Sequence, residues 1–219
     1  MKYFFIIFLF LTIKLFSQSK TELSFFQQIN DTIDKSHPNK VDALNNKQGW
    51  WIITGKMEKT VGYKADQIIS EGPYRDNKKT GVWLEYFDNG KIKMKATYVN
   101  GDPNGYVKLY YENGNLKEEG IWRDYKWQGE YRMYYESGSI KYRFHFKRNG
   151  AREDSQYYFW ENGNLMIEGT WENGQEAGKI TEYYDNGSIR CIKTFYAGGI
   201  LNEEKSKNYP KKEILKFKF

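Results

Sequence analysis

From Gly81 to Gly101 the chain reads GVWLEYFDNGKIKMKATYVNG: two segments of alternating apolar and polar residues, each closed by Asn-Gly. Alternation with period two predicts strands rather than helices. Asn-Gly or Ser-Gly between two such segments predicts a two-residue hairpin, the first residue supplying the positive φ that this turn needs. The pattern then recurs. The first-turn glycine falls at Gly90, Gly114, Gly138, Gly163 and Gly187, in steps of 24, 24, 25 and 24 residues. A period in this range signals a repeat architecture in which each unit buries its surface against its neighbours.

The register of the repeat fixes which positions matter. The units start at Gly81, Gly105, Gly129, Asp154 and Gly178, and Asp154 stands beside the one-residue lengthening of the third unit. The fifth residue after each start is Tyr86, Tyr110, Tyr134, Phe159 and Tyr183, and the sixth is Phe87, Tyr111, Tyr135, Trp160 and Tyr184. Neighbouring residues on a strand point to opposite faces, so both faces of the sheet carry an aromatic row. After the turn Ile92, Leu116, Ile140, Leu165 and Ile189 are always aliphatic, and six residues further on Tyr98, Trp122, Phe146, Trp171 and Phe195 are always aromatic. The second turns repeat the glycine signal except at Asp124-Tyr125. The predicted fold is therefore all-β, an elongated array of antiparallel β-hairpin repeats.

Four segments follow from where this pattern starts and stops. Residues 1–18 read as a secretory signal peptide, with Lys2 ahead of an apolar run of 11 residues from Tyr3 to Ile13 and a polar end at Gln18. That run is too short to span a bilayer, so no membrane span is expected after its removal. Residues 19–48 are a polar lead-in without sustained period. Residues 49–201 hold six hairpins, the first beginning at Gly49-Trp50-Trp51 and stretched by an insertion over Lys56 to Ala65. Residues 202–219 lose the pattern and form a charged tail, in which Ile214 to Phe219 alternates and can add a last strand.

Composition sharpens the picture in two ways. Aromatic residues make up 18% of the 219, while mean hydropathy is −0.84. That pairing suits thin sheets held by large half-buried rings rather than a core of Leu and Val. The formal charge of +6 lies outside the repeats, because residues 81–201 carry 16 Lys and Arg against 17 Asp and Glu, a net of −1. A neutral repeat surface excludes nucleic acid as the expected partner.

Chemistry is sparse. His37 lies in the lead-in, and His145, between Phe144 and Phe146, is placed on the polar side of its strand. The single cysteine, Cys191, sits in a strand pattern and reads as a small apolar side chain. Glu112, Glu136, Glu161 and Asp185 each precede a turn, but one carboxylate per unit falls short of the six to eight oxygens that calcium takes. No catalytic residue, cofactor or metal ligand is expected. The candidate contact row is Tyr86, Tyr110, Tyr134, Phe159 and Tyr183, whose rings offer area with a polar handle.

The recurring G-x-W/V-x-x-Y-Y/F-x-N-G-x-I/L with its downstream aromatic-x-x-G resembles the MORN-repeat-variant family over about Asn39 to Leu201. Segments such as EGPYRDNKKTGVWLEYF and LYYENGNLKEEGIW are similar to exported members from Bacteroidota. The resemblance implies a non-catalytic protein-interaction or scaffold module, here exported to periplasm, surface or medium and meeting a protein or cell-envelope component. Many relatives carry a toxin–antitoxin label, which implies the alternative of an inhibitor that caps a toxin surface.

Overall fold

The computed structural model describes residue 30 and residues 32–212. The expected signal peptide, the lead-in before Asn30 and the expected strand at Ile214 to Phe219 lie outside the described residues. The chain divides into two compact units, Met1–Lys126 and Trp127–Phe219.

In the first unit β1 (Lys40–Val41) and β2 (Lys47–Thr54) precede a four-residue helix, α1 (Gly55–Glu58). The strands β3 (Ile68–Arg75), β4 (Lys78–Lys79), β5 (Gly81–Tyr86), β6 (Ile92–Val99), β7 (Asp102–Tyr110) and β8 (Leu116–Arg123) follow. They pair antiparallel in chain order, except that β3 pairs both β4 and β5. The insertion between β2 and β3 holds α1 and replaces a first turn.

The second unit runs from β9 (Lys126–Tyr134) and β10 (Ile140–Phe146) through β11 (Asp154–Phe159), β12 (Leu165–Glu172), β13 (Gln175–Tyr183) and β14 (Ile189–Tyr196) to β15 (Ile200–Asn208). These too pair antiparallel with their neighbours in sequence. The pattern therefore continues beyond Leu201. β15 escapes the alternation pattern because its outward residues, Glu203, Glu204, Lys205 and Lys207, are exposed, as suits the last strand among the described residues.

The first turns differ from the two-residue hairpins expected. In each, the sixth residue accepts from the glycine N–H and donates its own N–H to the residue after that glycine, as in Gly90 N–H to Phe87 O at 2.9 Å and Phe87 N–H to Lys91 O at 2.8 Å. Three residues fill the loop, only the glycine takes positive φ (80° at Gly90), and the ladder shifts register one residue earlier, between Glu85 and Tyr86. This is a type I turn closed by a glycine bulge. The asparagine serves another purpose. Its side-chain oxygen accepts the N–H two residues on, at 2.9 Å from Asn89 to Lys91 and from Asn162 to Asn164. Two-residue turns with both residues at positive φ do occur, but at second turns: Asn100-Gly101, Asp124-Tyr125 and Asn173-Gly174. The lengthened third unit is explained here. Its second turn, Arg148-Asn149-Gly150, uses the three-residue form, with Gly150 N–H on Lys147 O at 2.9 Å. Asp154 then takes the starting glycine's place at φ 62°, matching 62° at Gly81 and 63° at Gly178.

The core lies in rows across the strands, where large side chains lean over small ones. Trp83 is 0% exposed, and Ala96 opposite it is fully covered as well. Glu71 pairs Leu84, so Gly72 is level with Trp83, and a Cβ there would stand 2.5 Å from the indole ring. Buried neighbours in sequence, Val82 with Trp83 and Tyr106 with Val107, show that both faces of the sheet are covered at the second-turn end.

A ring-covered face as the candidate contact surface

In the first unit the rings of Trp51, Tyr74, Trp83 and Tyr98 form a chain of edge-to-face contacts with centroids 5.6, 5.0 and 6.4 Å apart. They come from β2, β3, β5 and β6, whose alternation turns all four to one face. Lys47 Nζ lies 4.7 Å from the Trp51 ring and 4.9 Å from Tyr74. Lys79 Nζ lies 4.3 Å from Trp83 and 5.1 Å from Tyr98. The lysine stems roof the rings while their charges rest on the ring faces. Burial pulls the Lys79 ammonium below its ordinary value and pushes the Tyr98 phenol up to about 12. This cluster is closed over.

The second unit carries a longer and more open ladder. Tyr142, Phe144 and Phe146 alternate along β10 and share a face. Phe144 contacts Tyr131, Tyr142, Phe146 and Tyr158, with centroids 6.1, 5.2, 6.1 and 5.0 Å away. Tyr131 reaches Trp127 at 5.0 Å and Tyr158 reaches Trp171 at 6.2 Å, so rings from four strands touch without a break. Arg152 lays its guanidinium 4.8 Å from the Phe144 ring and donates to the Tyr158 hydroxyl at 2.6 Å. Tyr142, Phe146 and Tyr158 are half-buried, so their outer surfaces meet solvent. The ladder combines apolar area, hydroxyls and one oriented guanidinium, the mixture found at protein contact sites.

The opposite face is polar and occupied by its own bonds. Tyr86 Oη donates to Glu71 Oε1 and Tyr183 Oη to Glu168 Oε1, both at 2.5 Å. Tyr106 Oη donates to Glu119 Oε2 at 2.5 Å, and Lys108 Nζ stands 3.5 Å from the same oxygen. The candidate row Tyr86, Tyr110, Tyr134, Phe159 and Tyr183 is half-buried throughout. Strand alternation sets Tyr86, Tyr110, Tyr134 and Tyr183 opposite the stacked rings. Burial and then the Glu168 bond push the Tyr183 phenol up to about 12. Burial also lifts the Tyr110 phenol.

His145 faces the polar side, level with Glu130 across the ladder, and its Nδ1 lies 3.3 Å from Asp154 Oδ2. Cys191 is 4% exposed and burial raises its thiol, the behaviour of a small apolar side chain. Among the described residues no group of three His, Cys, Asp or Glu side chains is placed to hold a metal. No helix among the described residues is long and apolar enough to cross a membrane.

Tyr131, Tyr142, Tyr158 and Arg152 escaped the sequence reading because they do not recur from unit to unit. The available signal was the strict alternation of KYRFHFK, which sets three rings on one side of a single strand.

Comparison with known proteins agrees with the repeat. The model of the MORN repeat variant matches residues 79–100, 103–124, 127–148 and 155–173, each match covering one hairpin, from β5/β6 to β11/β12. That family is not a known enzyme family. No curated protein matches the chain. With hairpins, turns and spacing all following this repeat, residues 79–173 are four consecutive repeats of the MORN repeat variant.

Proposed function

We propose that this protein is a non-catalytic, exported interaction module that binds a protein or cell-envelope component through the ring-covered face of residues 127–171. The observation that carries this reading is the unbroken ladder from Trp127 to Trp171, with Arg152 fixed over Phe144. Rings held by neighbouring rings lose little freedom on binding, which favours them as anchors. Export rests on the N-terminal apolar run after Lys2. The row Tyr86, Tyr110, Tyr134, Phe159 and Tyr183 is the second candidate surface. Two of its hydroxyls are already committed to glutamates, so it offers a partner fewer free polar handles.

The reading is tested with Tyr142→Thr and Tyr158→Thr, half-buried positions where threonine keeps strand propensity. Each should weaken partner binding by about 2 kcal/mol, roughly thirtyfold, as expected for a contact anchor. Tyr183→Thr on the other face of the same unit should change binding little. Equal binding by all three variants removes the proposal, as does recovery of the mature protein from the cytosolic fraction.

A further inference from the structure

Within each compact unit the first turns are bonded to those that follow them. In the second unit the sixth-position ring donates to the carbonyl of the fifth residue one repeat on: Tyr135 Oη to Phe159 O at 2.9 Å and Trp160 Nε1 to Tyr183 O at 3.3 Å. The turn asparagine donates to the carbonyl of the acid opening the next turn: Asn89 Nδ2 to Glu112 O at 3.2 Å and Asn162 Nδ2 to Asp185 O at 2.8 Å. A ladder of this kind leaves donors over at its last turn unless something replaces the missing repeat.

The last turn, Tyr184 to Gly187, has such a replacement. Tyr184 Oη donates to Tyr209 O at 3.2 Å, Asn186 Nδ2 to Lys212 O at 2.7 Å, and Lys211 Nζ stands 2.6 Å from Asp185 Oδ1. Residues 209–212 read YPKK and contain no turn signal, yet their carbonyls accept what a further repeat's turn would accept. Pro210 has no N–H to give another strand. The strand leading to this segment is interrupted too. β15 pairs Ile192 with Lys207 and Thr194 with Asn202, so four residues bulge out, pinned by Ser206 Oγ on Asn202 O at 2.7 Å. The bulge carries Glu203, Glu204 and Lys205, all exposed. At the start of the first unit the insertion does the same in reverse. Tyr63 Oη donates to Tyr86 O at 2.8 Å, and Gln67 Nε2 donates to Asp88 O.

We propose that residues 200–212 form an end cap that closes the array against strand addition, and that the occupant it excludes is a second copy of this chain. Without it, β14 presents an unpaired edge over Cys191 to Tyr196, which two copies can share antiparallel about a two-fold axis. The cap is independent of the ring-covered face and leaves the faces as the surfaces open to a partner.

The test uses the full chain and its single cysteine. Cys191 pairs with Asn208, so its thiol reports whether the cap is seated. Asn186→Ala with Lys211→Ala releases the cap. Reaction with a thiol reagent should accelerate about tenfold in dilute protein, because each lost bond shifts local opening roughly twofold to tenfold. Light scattering should then show dimers as concentration rises, with the thiol protected again, while the unchanged chain stays monomeric and slow. A second variant, Glu203→Thr, Glu204→Val, Lys205→Thr and Lys207→Val, keeps the turn ladder and should dimerise through β15 even if the first variant fails to fold. The proposal is overturned if the unchanged chain dimerises through this end, if the released variant keeps its thiol rate, or if either folded variant stays monomeric at every concentration.

Discussion

Gly72→Ala sets two effects with opposite signs against each other. Gly72 lies in β3 at an ordinary strand φ, so a methyl there would by itself restrict the unfolded chain and stabilise the protein by about 0.4–1 kcal/mol. The structure opposes this. The new Cβ would stand 2.5, 2.6 and 2.7 Å from Cδ2, Cγ and Cε2 of Trp83. The indole cannot retreat freely, being fully buried, in edge contact with Tyr74 at 5.0 Å and bonded through Nε1 to Pro73 O at 2.9 Å. Forcing a methylene into such a site costs about 1–3 kcal/mol, and losing the indole bond adds about 1. The net expectation is a destabilisation of about 1–3 kcal/mol. Urea unfolding followed by tryptophan fluorescence should show an earlier midpoint with unchanged slope. Trp83→Val is the companion, since Val107 fills this place level with Gly120 one repeat on. In that background Gly72→Ala should be neutral or stabilising, giving a coupling above about 1 kcal/mol. A stabilised single variant, or the same cost in both backgrounds, refutes the reasoning.

Tyr125 holds φ 60° in the Asp124-Tyr125 turn and is 75% exposed, so Tyr125→Gly should raise the unfolding free energy of the first unit by about 1 kcal/mol in urea titration. The Tyr98 and Tyr183 phenols are both pushed up to about 12, chiefly by burial, so the fold favours their neutral forms. Their stabilisation is complete below the unfolded value near 10 and is lost as pH rises through that window, so urea midpoints should fall between pH 10 and about 12. Tyr98→Phe and Tyr183→Phe should each flatten that fall. Glu182 behaves in the opposite sense: burial alone would raise its carboxyl, but Lys193 at 2.6 Å and Arg190 at 3.7 Å outweigh it and the net shift is downward. Its contribution is present above the ordinary carboxylate range and lost on acidification, and Lys193→Met should make the second unit less sensitive to falling pH.

The strands were legible because the same alternation returns at a fixed step, and a side-chain pattern that repeats must be met by a backbone that repeats. The likeness to the MORN repeat variant followed from the same recurrence. The asparagine of the first turns departs from the two-residue expectation because Asn-Gly has two physical uses. It can supply positive φ twice, or glycine alone supplies it while asparagine closes a side-chain bond and reaches the neighbouring turn, as Asn162 does. Composition does not separate these, whereas loop length does. β15 was illegible for the reason that makes it useful, since a strand that must refuse partners carries charge where alternation would carry apolar residues. The candidate surface does not lie in the recurrence that marks the fold. Recurrence picks out Tyr86 and Tyr183, which hold the array together through Glu71 and Glu168. It passes over Tyr142, Tyr158 and Arg152, which belong to one place in the chain.

The most direct test of the contact surface is a photo-crosslinking amino acid placed singly at Tyr142, Tyr158 and Tyr183 of the protein in its producing cell. Positions 142 and 158 should each join the same discrete partner, and position 183 should not. Crosslinks confined to position 183, or different products from 142 and 158, would contradict the assignment of the ring-covered face.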